Sequence, residues 1–281
     1  MTPSLRQLLV HLDATQALPD RLAVALKIAK QHGAALAALY AATPLFLELP
    51  YAPELGPTLA ADLVALDEER RAGAVKVFDN AMTGAGPMAA TWSQTNEVPV
   101  LSAFAQQARF ADLLVLGQHE AGDPASRAVP PDFVASVLSA SGRPAIVVPF
   151  VGWKGPVGDT IAIAWKETPE ATRAVSAALP LLRRAGKVHV LTWGEEGGAT
   201  IGGHQLDLDG YLKLHGVTAT WHRGGPEPGN VAELLLSRVS DLGADLLVMG
   251  CYGHGRAREW VLGGTSRTVL QSMTLPVLMA H

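Results

Sequence analysis

The sequence is poor in cysteine. Cys251 is the single one in 281 residues, so no internal disulfide framework can form, and the chain fits a reducing compartment. Charge is also sparse, at 17% of residues and −4 net. No basic run marks a nucleic-acid footprint. No uncharged apolar run approaches the roughly 18–20 residues that cross a membrane. The start, MTPSLRQLLVHLDATQ, has no long apolar stretch ahead of a small-residue cleavage site, so no signal peptide is expected. These absences lead us to expect a cytoplasmic protein with neither membrane nor nucleic acid among its partners. Catalytic motifs are missing as well. There is no G-x-S-x-G, no H-E-x-x-H and no paired carboxylates in a shared motif, so no nucleophile–base pair can be named.

What is present is a large apolar fraction, 48% of 281 residues. That is ample for a core and more than one average domain. Short apolar runs alternate with helical patterns. LLVHLD (Leu8–Asp13) reads as a buried strand. Arg21 to His32 follows at helical spacing, with Gly33 as its stop, and Ala35–Ala41 reads as the next strand. A second cycle begins at TIAIAW (Thr160–Trp165). Its helix runs from Pro169 to Arg184, with Thr168 as N-cap and Gly186 beyond its end, before the strand Val188–Trp193.

The later parts of the two cycles match closely. Ala111–Gly117, ADLLVLG, stands against Ala244–Gly250, ADLLVMG. Arg143–Pro149 stands against Leu275–His281 at nearly the same distance downstream. This is the mark of an internal duplication. Strands alternating with helices predict right-handed βαβ units and a parallel sheet covered on both faces. The boundary falls in the Gly- and Pro-rich stretch Phe150–Asp159, giving domains 1–152 and 153–281. The first copy is longer by the segment Thr43–Arg71. Its prolines up to Pro57 read as an extended loop and the remainder as a helix.

Near the end stands MGCYGHGRAREWVLGGTSRTVL (Met249–Leu270). Gly250 directly follows a buried strand, where ligands of open parallel sheets sit. Glycine there lets backbone amides approach a ligand, and successive amides make a concave anion site. Gly263-Gly264-Thr265-Ser266 precedes another helical run, whose N-terminus suits phosphate. The alternative is a scaffold turn that lets strand and helix pack closely. The spacing is neither a Walker loop nor a dinucleotide fingerprint; it is G-x₂-G-x₉-G, at Gly250, Gly253 and Gly263.

With that spacing the chain resembles the universal stress protein family in its tandem, two-domain form. The last forty or so residues carry the resemblance most strongly, and IAIAWKETPEATRAV resembles the family's first strand and helix. The resemblance implies two Rossmann-like (adenine nucleotide alpha hydrolase-like) domains, each with a five-stranded parallel sheet and helices on both faces. It implies a stress-response protein that binds ATP or another anionic small molecule as a sensor, and a homodimer is in keeping with it. By position, Gly250, Gly253 and Gly263 would surround the phosphates. The family's hydroxyl residue after the third glycine is replaced here by Gly264, so Thr265 or Ser266 would substitute. The family's Asp at the end of the first strand is Asp13 in the first copy, but Lys166 in the second. In the first copy Gly117 keeps its place, while Glu120 and Pro130 stand opposite Gly253 and Gly263. A carboxylate repels phosphate and a proline has no amide, so the N-terminal site is expected to be degenerate. The final strands of the two copies would pack against each other.

Simpler roles are assigned elsewhere. Cys251 reads as an inert small residue. The nine histidines show no ligand spacing, so no metal is expected. Trp165 and Trp193 read as packing residues. Asp112 and Asp245 read as caps of the strands they precede, and Asp13 alone could merely cap its turn. A ligand-free interaction module and a slow ATPase are the alternatives to the sensor.

Overall fold

The computed structural model describes residues 4–48, 56–86, 88–95, 97–194, 205–227, 229–251 and 264–281. The chain divides into two compact units, Leu5–Lys154 and Gly155–His281. Each is a Rossmann-like α/β unit.

The N-terminal unit runs β1 (Gln7–Leu12), α1 (Leu18–His32), β2 (Ala35–Tyr40), α2 (Leu45–Glu48), α3 (Pro57–Thr83) and β3 (Ala90–Gln94). It continues with α4 (Val100–Ala108), β4 (Leu113–Gly117), a 3₁₀ turn (Pro124–Ala128), α5 (Phe133–Ser141) and β5 (Ala145–Val148). Its strand order is β3-β2-β1-β4-β5, and every pair is parallel. The C-terminal unit runs β6 (Thr160–Ala164), α6 (Pro169–Leu182), β7 (Lys187–Thr192), α7 (Leu208–Leu214), β8 (Thr220–Arg223), α8 (Val231–Asp241), β9 (Leu246–Gly250), α9 (Thr265–Ser272) and β10 (Val277–Ala280). Its order, β8-β7-β6-β9-β10, repeats the first, again all parallel.

Strands covered on both faces need apolar residues at successive positions. The central strands supply them: Leu113 to Leu116 and Leu246 to Met249 are buried without interruption. Each such side chain contributes roughly 1.5–3 kcal/mol by leaving water. Helix ends follow the local chemistry. The Thr168 hydroxyl accepts from the Ala171 amide at 3.3 Å, with Pro169 as the first helical residue of α6. Gly33 ends α1 at φ 62°, a backbone region that favours glycine.

The register fixes how the copies correspond. Leu8 pairs with Leu113 and Ile161 with Leu246. Counting along the strands, Asp13 and Lys166 are equivalent, and so are Gly117 and Gly250. The two repeated aspartates do not cap the strands they precede. The Asp112 carboxylate accepts the amides of Arg6 and Gln7 at 2.7 and 2.9 Å. The Asp245 carboxylate accepts those of Gly158, Asp159 and Thr160 at 2.6 to 3.1 Å. Each one organises the start of the neighbouring strand, β1 or β6.

In the segment Thr43–Arg71 the expected helix begins at Pro57, the first residue of α3, and Leu45–Glu48 adds a short helical turn among the prolines. Asp67 on α3 accepts the Leu45 amide at 2.9 Å, and the Thr43 amide donates to Ala128 at 2.8 Å. The segment therefore abuts the 3₁₀ turn that follows β4.

Candidate site at the carboxyl ends of the central strands

In each unit the chain leaves the first strand toward one edge of the sheet and the fourth toward the other. Between their carboxyl ends lies the crevice where the strand order reverses, the usual ligand position in open parallel sheets. In the N-terminal unit it lies between β1 and β4, and in the C-terminal unit between β6 and β9.

The N-terminal crevice is occupied by the protein itself. Arg21 reaches into it from the first turn of α1. One guanidinium nitrogen, Nη1, donates to Asp13 Oδ2 at 2.9 Å and to the His11 carbonyl at 3.0 Å. Nη2 donates to Thr15 Oγ1 at 3.1 Å. Asp13 also accepts from the Thr15 amide and hydroxyl. All three of His11, Asp13 and Arg21 are buried. His11 donates from Nε2 to the Ala41 carbonyl at 2.8 Å, which leaves Nδ1 as the bare nitrogen.

Electrostatics follow from this burial. Desolvation disfavours the charged imidazole and outweighs the attraction of Asp13, so His11 is lowered to about 4. Desolvation opposes the Asp13 carboxylate too. There the Arg21 charge, with His11 and the Thr15 hydroxyl, prevails and holds Asp13 at about 2. The cluster is a neutral imidazole beside an ion pair.

Gly117, at the end of β4, explains the fit. A Cβ there would stand 2.6 Å from Arg21 Cζ and 2.7 Å from Nε. Only glycine lets the guanidinium lie across the strand end. The cleft that remains, lined in part by His11, Asp13, Gln118 and Pro130, has about 20 Å³. That is on the order of one water. The expectation of a degenerate site rested on Glu120 and Pro130; the residue that lies across this crevice in the structure is Arg21.

The C-terminal crevice is built differently. A Cβ on Gly250 would fall 2.6 Å from the Glu170 carbonyl carbon and nearer still to the Ala171 amide nitrogen. The backbone of the first turn of α6 thus lies directly against the end of β9. Lys166 is exposed and bonds both carboxylate oxygens of Glu227, at 3.0 and 2.9 Å. Gly264 is the N-cap of α9, with Thr265 and Ser266 in its first turn and no side-chain cap hydrogen bond. Because β9 and β10 are parallel, that first turn stands at the carboxyl edge of the sheet, the same edge as Gly250. Gly253 and Gly263 lie outside the described residues. Cys251 is buried, and its thiol donates to the Ala280 carbonyl at 3.3 Å.

Three comparisons bear on this arrangement. Residues 225–281 match the model of the universal stress protein family. The end of the chain is thus similar to universal stress proteins. Over 50 residues it is 40% identical to a universal stress protein of Synechocystis sp., a match that takes in 18% of this chain and 17% of that relative. The solved structure of a universal stress protein from Archaeoglobus fulgidus covers 98% of this chain with 95% of its own, at 16% identity and a TM-score of 0.68. A protein of unknown function from Pseudomonas aeruginosa covers 98% with 92% of its own, at 16% identity and a TM-score of 0.58. The likeness of fold thus runs through both units, while the family model meets only the end of the second.

Sequence reasoning missed Arg21 and His11. The signal was there. Arg21 sits on the same helical stripe as Leu18, Ala25 and Ile28, where a solvent-facing arginine does not belong.

Proposed function

We propose that the chain is a stress-response protein that senses a nucleotide or another anionic small molecule, ATP being the first candidate, in the crevice between β6 and β9. The N-terminus of α9 carries this reading: Gly264 is its N-cap, Thr265 and Ser266 stand in its first turn, and no side chain caps its amides. Gly250 itself serves the close packing of α6 on β9. That turn lies at the carboxyl edge of the sheet, and phosphate suits a helix N-terminus there. The N-terminal crevice, filled by Arg21, takes no such ligand, so one ligand binds per chain. The family resemblance supports a cytoplasmic setting, a homodimer and the sensor role.

A ligand-free interaction module is the second reading. It is favoured by Lys166, which stands in the place of an acceptor and is paired with Glu227. Calorimetry of the full chain with ATP, with mass spectrometry of any retained ligand, decides between the two. The sensor reading expects one site per chain and tighter binding in Gly264→Ser. No heat at millimolar ATP, no retained ligand and no gain in Gly264→Ser would sink it.

A further inference from the structure

A pair of histidines in the C-terminal unit stands apart from both crevices. His189 lies on β7 and His222 on β8, 33 residues apart in the chain. The register pairs His189 with Thr220 and Leu191 with His222. Paired residues share a face of the sheet, so both imidazoles lie on one face along a diagonal. His189 Nδ1 and His222 Nε2 are 3.0 Å apart, with ring centroids at 5.1 Å and planes tilted by 51°. Both residues are half-buried. Desolvation, with the neighbouring His222 and Lys187, lowers His189 from its ordinary value. The unprotonated ring is the form that binds metals.

We propose that His189 and His222 chelate a late first-row divalent cation, Cu²⁺ or Ni²⁺ ahead of Zn²⁺, through His189 Nδ1 and His222 Nε2. The 3.0 Å separation is that of the hydrogen bond between the rings, and it shows that the two nitrogens can face one point. Imidazole nitrogens suit Cu²⁺ and Ni²⁺, and Cu²⁺ heads the affinity order for such donors. The nitrogens now share one hydrogen. To bind metal, the donating ring moves its proton to its other nitrogen through solvent, with no net release. A turn of each ring about χ2, a broad torsion, directs both lone pairs at one point. Among the described residues no group of three or more His, Cys, Asp or Glu is placed to hold a metal. Water or an external ligand therefore completes the coordination. Lys187, two residues earlier on the same face, opposes the cation's charge but is exposed to solvent.

Sequence spacing hides this pair, since parallel strands bring together residues separated by a whole crossover. The test uses the full chain without a polyhistidine tag. Cu²⁺ is titrated by calorimetry, and the bound ion is read by electron paramagnetic resonance. Two imidazole nitrogens are expected in the spectrum. His189→Asn and His222→Asn should each lose at least about tenfold in affinity and one nitrogen, as loss of a direct ligand costs no less than loss of a supporting one. Should either variant fail to fold, Ni²⁺-induced broadening of the two imidazole resonances in the unmodified chain answers the same question. Undiminished affinity in folded variants, a spectrum without nitrogen coupling, or broadening confined to other histidines would overturn the assignment.

Discussion

Replacing Arg21 by methionine tests how the N-terminal crevice is held shut. Methionine fills much of the same volume and keeps the helix, but it removes the cation. Asp13 would then lie buried with only Thr15 as a close donor. Breaking one side of a buried ion pair costs roughly 3–5 kcal/mol, because the remaining charge keeps its desolvation penalty. At 2% and 3% exposure, Arg21 and Asp13 are deep enough for that range to apply. Asp13→Asn should cost a comparable amount by stranding the guanidinium. The double variant Asp13→Asn/Arg21→Met leaves no unpaired charge and should recover most of either loss. Urea unfolding followed by circular dichroism at neutral pH gives the magnitudes. Hydrogen exchange of peptides from Leu5–Lys154 locates them, which matters because the two units can unfold separately. A loss below about 1 kcal/mol in Arg21→Met, or a double variant no better than the worse single one, would refute the argument, since even an exposed ion pair reaches that size.

The same cluster makes stability pH-dependent in two windows. His11 titrates near 6.5 when unfolded and at about 4 when folded. The unfolded chain therefore binds more protons between those values, and about 3 kcal/mol is lost as pH falls through them. Asp13 goes from 3.8 unfolded to about 2 folded, so its contribution is present above 3.8 and lost as pH falls toward 2. The protection factors of β1 amides, exchange rates corrected for the pH dependence of the free amide, should fall as pH drops from 6.5 to 4 and should not do so in His11→Phe; equal behaviour of the two would remove His11 from the account. Gly250→Ala should destabilise the C-terminal unit by about 1–3 kcal/mol, the cost of overpacking. Its Cβ would meet backbone of α6 that cannot rotate away. A thermal melt unchanged from that of the parent chain would show that α6 can shift at no cost.

Much of the fold was legible. The repeated ADLLV stretch and the alternation of apolar runs with helical periods predicted two parallel-sheet units. The equivalence of Asp13 with Lys166 is confirmed by strand register. Thr168 and Pro169 announced α6 correctly because capping is a local matter. What escaped was long-range. The helical stripe marks Arg21 as buried, but nothing near it in the sequence says that a glycine at position 117 will make room for its guanidinium. The partners of Asp112 and Asp245 escaped likewise, since their targets lie on a strand many residues away. The prolines of Thr43–Arg71 were read correctly where it mattered, since the helix expected after them begins at Pro57, a residue that suits a first helical turn. Only the short turn Leu45–Glu48 was not foreseen.

The twin aspartates also bear on how each sheet assembles. Asp112 is tied to residues 105 and 106 positions earlier, and Asp245 to residues 85 to 87 earlier. A slip of one residue between the first and fourth strands would tear two or more amides from a carboxylate. It would also turn every side chain of the strand to the wrong face. These contacts act as a phase marker for the central pair of strands. Parallel strands without a connecting hairpin have no turn to set their alignment, and here a single short side chain, repeated in each copy, sets it instead.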